Sequence, residues 1–140
     1  LIYALDLIVG YALDWLWPLG FVPAPLRLWA ALALLATGLL IVVLALPKFR
    51  RAATPVRPDR PTTALISGGP YRFSRNPLYV ALTLAYLGLA VALDSLWVLA
   101  LLVPVLATMQ VGVVAREERY LEAKFGDEYR AFKRRTRRWL

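Results

Sequence analysis

The sequence predicts an all-α protein: a polytopic transmembrane helical bundle of about four spans, flanked by a polar loop and a C-terminal amphipathic helix. Three observations carry this. Hydrophobic residues make up 60% of the 140 positions, and the mean hydropathy is +0.58, far above a soluble average. The apolar residues come in blocks long enough to cross a bilayer instead of recurring at amphipathic intervals. The basic residues sit at the ends of those blocks, with seven between Lys48 and Arg75, nine between Arg116 and Arg138, and Arg27 alone elsewhere.

The first span is expected over 1–19, with Trp15, Trp17 and Phe21 as an interfacial aromatic belt at its far end. It has no basic stretch before it and no small-residue cleavage site after it, so it reads as a retained span and not a signal peptide. The second, 28–46, contains no charge and would be roughly 28 Å long at helical rise. The third, 78–93, is short and ends at Asp94. The fourth, 96–115, contains Pro104, where a kink is expected. Asp94-Ser95 reads as a tight turn with one of the two capping the fourth helix. Asp6 and Asp14 interrupt the first span; a carboxylate there is either interfacial or functional.

The charge distribution places the loop 48–76 and the C-terminal segment 116–138 in the cytoplasm. Four spans then put both ends of the chain on that side, with a bacterial inner membrane as the expected location. Anionic lipid headgroups, not nucleic acid, match basic residues placed this way. The loop is broken by Pro55, Pro58, Pro61, Pro70 and the pair Gly68-Gly69, and is long enough to be functional. The fourth helix is expected to run on through REERYLEAKF. Gly126 then ends it, and Asp127 caps a final basic helix. Tyr120, Phe125, Tyr129 and Phe132 would lie on the membrane surface or cover the loop.

The chain has no Cys and no His. That excludes disulfides, thiolate metal sites, Cys nucleophiles and the commonest general base; no metal site is expected. Chemistry must run on carboxylates, Tyr, Arg, Lys and backbone groups, or on a reactive cofactor.

Two polar motifs stand at the same side of the predicted third and fourth spans. In SGGPYRFSRNPLY (67–79), Asn76 is a strong N-cap and Pro77 suits the first helical position. The helix start offers free N–H groups to a carboxylate or phosphate, with Arg72 and Arg75 adding charge. Gly68 and Gly69 permit positive φ or close approach to a ligand. The plain alternative is an interfacial cap with snorkelling arginines. In REERYLEAKFGDEY (116–129), Glu117 and Glu118 point about 100° apart on a helix. Glu117 lies on the stripe Glu117–Leu121–Phe125 and would receive a ligand's ammonium or hydroxyls. The alternative is a surface pair bridged to Arg116, Arg119 or Arg130. Together the motifs match a zwitterionic, amino-acid-like ligand.

GGPYRFSRNPLY followed by EERYLEAKFGDEYRAF resembles the signature of the isoprenylcysteine carboxyl methyltransferase and phospholipid methyltransferase superfamily. Gly69, Tyr71, Arg75, Asn76, Pro77, Tyr79, Glu117, Glu118, Leu121, Phe125, Gly126 and Tyr129 match its pattern, over roughly half of the chain. The resemblance implies a small membrane enzyme that uses S-adenosyl-L-methionine. It implies that Thr63, Ala64, Leu65 and Ile66 line the adenosine. Tyr71, Asn76, Pro77, Leu78 and Tyr79 would surround the methionine portion, Arg75 would also belong to the cofactor site, and Glu117 would close it. Gly38 would mark either close helix approach near the cofactor or ordinary packing.

The chain departs from the prenylcysteine enzymes at Val113, where they carry an arginine for the substrate carboxylate, and at Thr63 and Asn76, where they carry histidine. The resemblance thus implies the cofactor and leaves the lipophilic acceptor open among carboxylate, amine and thiol. Arg116 and Glu118 are the candidates for orienting it. A non-catalytic membrane assembly or transport protein of the same fold is the competing reading, and a small transporter using Asp6 and Asp14 is a third.

Overall fold

The computed structural model describes residues 2–52 and 64–139. Among them the structure is helical, without strands: α1 Ile2–Leu16, α2 Ala24–Arg51, a 3₁₀ turn Gly69–Arg72, α3 Pro77–Leu93, α4 Leu96–Met109, a π segment Gln110–Val114 and α5 Ala115–Arg135. The last three follow one another as one helical rod that bends at Gly126. This rod and α2 are long and apolar enough to cross a membrane, while Pro77–Leu93 is apolar but shorter. Leu39, Val103 and Val111 on the two long helices are 64%, 69% and 72% exposed. Apolar surface on that scale is unfavourable in water and suits a membrane protein.

α2 is longer than the charge-free block predicts. It begins at Ala24, passes through Pro47, and ends only after Lys48, Arg50 and Arg51, whose charges favour a helix C-terminus. α2 packs chiefly along α3, and α1 along α4. A Cβ at Gly38 would lie 2.8 Å from the Ala81 carbonyl oxygen, so the glycine is there for ordinary close helix packing. Tyr3, Tyr86, Ala90, Val98, Leu102, Val105 and Met109 form the core of the bundle. The Tyr3 and Tyr86 rings meet edge to face at 5.8 Å, a geometry that aromatic quadrupoles favour.

Of the two turn residues, Ser95 is the cap: its Oγ accepts from the Val98 N–H at 3.3 Å. Asp94 instead closes α3 in the left-handed region at φ 52°. Its carboxylate reaches across to the α1–α2 connection, accepting from the N–H groups of Phe21 and Val22 at 2.8 Å each and pairing with Arg27. These backbone N–H groups, with Arg27 beside them, hold the Asp94 carboxyl below its usual range. Asp6 accepts from the Tyr86 hydroxyl at 2.5 Å, inside the bundle. Asp14 is an exposed acceptor for Leu19 N–H at 3.4 Å.

α4 continues through Pro104 and leaves α geometry only at Gln110–Val114. A π segment inserts one residue into the helical repeat and re-aims the side chains beyond it. α5 turns at Gly126, which sits at φ 52°, ψ −122°, the break expected there. Beyond α5, the strap Thr136–Trp139 returns along the loop, making an isolated parallel bridge between Ser74 and Arg137.

Candidate functional site

The two sequence motifs meet. At the shared end of α2, α3 and α5 lies a cavity of about 410 Å³, within the range of small-molecule sites. Its floor is a second apolar cluster of Ala45, Ile66, Tyr71, Tyr129 and Phe132, with Phe49, Leu65, Leu78 and Leu121 packed against it. Tyr129 and Phe132 are therefore buried over the loop, not spread on the surface. Burial pushes the Tyr129 hydroxyl up to about 12, with Glu118 a smaller cause, and raises Tyr71 in the same direction.

Gly68 and Gly69 take φ of 94° and 57°, a backbone costly for any residue with a Cβ. The turn they begin carries Tyr71 into the cavity floor, its ring edge-on to Phe49 at 6.0 Å. Ala64, Leu65, Ile66, Tyr71, Arg75, Asn76, Leu78, Tyr79 and Glu117 all line the cavity, as do Arg116 and Glu118. Pro77 is buried as the first residue of α3 and is not in the lining. Thr63 lies outside the described residues. Phe49, Gly112, Val113, Tyr120, Leu121, Tyr129 and Phe132 complete the wall. Of these, Phe49 on α2, Gly112 and Val113 on the π segment and Phe132 on α5 stand outside both motifs, and packing brings them in.

The adjacent glutamates divide. Glu117 faces the cavity and accepts from the Tyr79 hydroxyl at 3.2 Å. Burial raises its carboxyl; the Tyr79 bond opposes this and the Glu118 charge adds to it. Glu118 is buried between two arginines. Arg138 donates from Nε at 3.1 Å and Nη2 at 2.8 Å, a bidentate fork, and Arg75 lies at 3.2 Å. Arg75 Nε remains a buried donor without a partner among the described residues.

The Asn76 side chain does not cap α3. Its Nδ2 donates to the Arg138 carbonyl at 2.9 Å, because the strap offers a buried acceptor where a cap would meet α3's own first turn. The Arg75 backbone N–H donates to the Arg137 carbonyl at 2.8 Å. Trp139 Nε1 donates to Gln110 Oε1 at 2.9 Å. The strap thus ties loop, π segment and α5 together around the cavity. Sequence reading missed it: Arg138 and Trp139 look like one more basic, aromatic end.

A phospholipid methyltransferase family model matches residues 26–128. The chain is 36% identical over 108 residues to the cobalt-zinc-cadmium resistance protein CzcN of Cupriavidus metallidurans, covering 77% of this chain and 49% of that one. It is 32% identical over 108 residues to the nickel-cobalt-cadmium resistance protein NccN of Alcaligenes xylosoxydans, covering 77% and 50%. A stretch of 27 residues is 70% identical to an uncharacterized protein of Haemophilus influenzae, 19% of this chain and 43% of the other. The chain spans about half the length of the two resistance proteins. No solved structure matches it.

Proposed function

The chain belongs to the phospholipid methyltransferase family, and we propose that it transfers a methyl group from S-adenosyl-L-methionine to a lipophilic acceptor held in the membrane. The acceptor presents a carboxylate, amine or thiol at the cytoplasmic face. α1 to α4 serve as four spans, both ends of the chain face the cytoplasm, and the membrane is the bacterial inner membrane. The single observation that carries the reading is the half-buried Glu117–Tyr79 pair in a cavity walled by the loop and both motifs.

The lining fits the cofactor's chemistry. Glu117 is a carboxylate for a cationic amino group, and the Arg75 Nε–H, unpartnered among the described residues, is a donor for a carboxylate. Ala64, Leu65 and Ile66 offer backbone and apolar surface to a nucleoside. When bound, the cofactor supplies an electrophilic methyl group on a sulfonium. The residues of the chain then bind, align and exclude water. Tyr79 orients Glu117. Glu118, held by Arg75 and Arg138, braces the wall, while Arg116 at the rim is left to orient the acceptor.

Calorimetry of the detergent-solubilised protein with S-adenosylhomocysteine should give one saturable site. Failure to bind it, or S-adenosylmethionine, at millimolar concentration would sink the reading. The metal-resistance names of the relatives favour one alternative, a non-catalytic partner in membrane transport or assembly. It expects Glu117→Ala and Tyr79→Ala to leave function intact, with no S-adenosylhomocysteine formed.

A further inference from the structure

Outside the cavity, one cluster of charge has no counter-charge among the described residues. Arg72 at the end of the 3₁₀ turn, Arg135 at the end of α5 and Arg137 on the strap converge on Phe73 around a cleft of about 350 Å³. They come from two distant parts of the chain, joined by the Ser74–Arg137 bridge. Four other basic groups of these segments have carboxylates: Arg75 and Arg138 share Glu118, while Arg130 and Lys133 share Glu122. Arg72, Arg135 and Arg137 make no ion pair among the described residues. Arg135 Nε donates only to the Ala131 carbonyl at 3.3 Å. Phe73, at the centre, is 74% exposed.

Three arginines lining one cleft without an acid among the described residues repel one another, and a bare phenyl ring beside them gains nothing from water. One ligand chemistry satisfies both features, a phosphodiester joined to hydrocarbon. Arginine forks match phosphate oxygens, and an aromatic ring suits the headgroup boundary. We propose that Arg72, Phe73, Arg135 and Arg137 form a binding site for an anionic phospholipid. Phe73 stands four residues before Pro77, the start of α3, which puts it at the membrane surface. That placement rests on the membrane-spanning reading above; the methyl-transfer chemistry plays no part in it. A headgroup spanning Arg72 and Arg137 would also press the strap onto the loop, since the Arg137 carbonyl holds the Arg75 N–H.

Native mass spectrometry of the whole chain, released without cofactor from nanodiscs of equal phosphatidylcholine and phosphatidylglycerol, tests the site. The wild type should retain one phosphatidylglycerol after phosphatidylcholine is stripped. R72Q/R135Q/R137Q should lower retention on the order of one hundredfold, from the per-residue attraction of basic groups to anionic lipid. F73S should lower it by a smaller factor. Should the triple variant lose its helical circular dichroism, R72Q and R137Q singly replace it. Equal retention of both lipids, or wild-type retention in the arginine variants, overturns the proposal. Displacement by millimolar inorganic phosphate with F73S unchanged also overturns it, leaving a simple anion site. Because the readout is lipid, this can fail while S-adenosylhomocysteine binding succeeds, and the reverse.

Discussion

Glu117 and Glu118 are neighbours on one helix, both in the cavity lining, and take different partners. Glu117 meets the Tyr79 hydroxyl at 3.2 Å; Glu118 meets the Arg138 Nη2 at 2.8 Å. The 100° between successive helical residues allows this split, and the strap decides what Glu118 meets. Glu118→Gln should therefore cost about 2–4 kcal/mol of stability, since it leaves Arg75 short of a counter-charge in a buried setting. Glu117→Gln should leave stability intact or improved and weaken S-adenosylhomocysteine binding at least roughly tenfold. Thermal unfolding and calorimetry on both variants check the division.

The pH dependence of stability should separate the two variants further. Burial raises the Glu117 carboxyl above its unfolded value, so the native state holds its proton to higher pH than the unfolded chain. Its contribution is fully present below the ordinary carboxylate range and is lost as pH rises through the raised value. Wild type should thus lose stability relative to Glu117→Gln over that interval, and the two should run parallel at more acid pH. Unfolding midpoints from acid to neutral pH would show it; a gap that widens toward acid pH contradicts the assignment.

Tyr79→Phe removes one hydroxyl and little volume. The carboxylate loses its orienting donor, so binding should weaken roughly three- to tenfold, about 1 kcal/mol, with an unchanged unfolding temperature. A loss of stability without a change in affinity would make Tyr79 a packing residue.

Arg138→Ala should act at a distance from the ligand. It takes away the bidentate partner of Glu118, and the strap carbonyls that hold Arg75 and Asn76 lose their anchor. S-adenosylhomocysteine affinity should fall roughly tenfold, with helix content preserved. Arg138→Lys keeps the charge but not the fork and should recover only part of the loss.

At the opposite end of the bundle, Asp94→Ala provides the contrast. It removes the acceptor of two backbone N–H groups and the partner of Arg27. The unfolding temperature should drop by roughly 5 °C and ligand affinity should not change. Asp94 is held below its usual range by those N–H groups, so its contribution is present above the ordinary Asp range and is lost as pH falls through the lowered value. The variant's deficit should accordingly shrink in acid.

Much of this was legible from local pattern. Apolar blocks locate the helices because burying or solvating a backbone in lipid leaves few other options. Gly68-Gly69, Asn76-Pro77 and Gly126 mark a turn, a helix start and a break because their backbone preferences act locally. The cavity lining followed from two motifs placed at one end of a helical hairpin. Less legible was the extent of α2: its last turn, through Pro47 to Arg51, contributes Phe49 to the cavity wall. A proline and a charge cluster conceal that continuation.

By itself, the sequence determined an all-helical chain, for helix formation depends on residue type and short spacing, and the resemblance of its two motifs implied that Tyr71, Tyr79 and Glu117 share one site. Tertiary structure alone decided that Asn76 binds the strap instead of capping α3, that Asp94 secures the α1–α2 connection, and that Arg72 and Arg137 share one cleft. Each depends on which of several available donors and acceptors is brought near across about sixty or seventy residues of chain. That choice is made by packing: a buried polar group takes whatever partner the fold places within reach, because leaving it unpaired costs more than the local alternative.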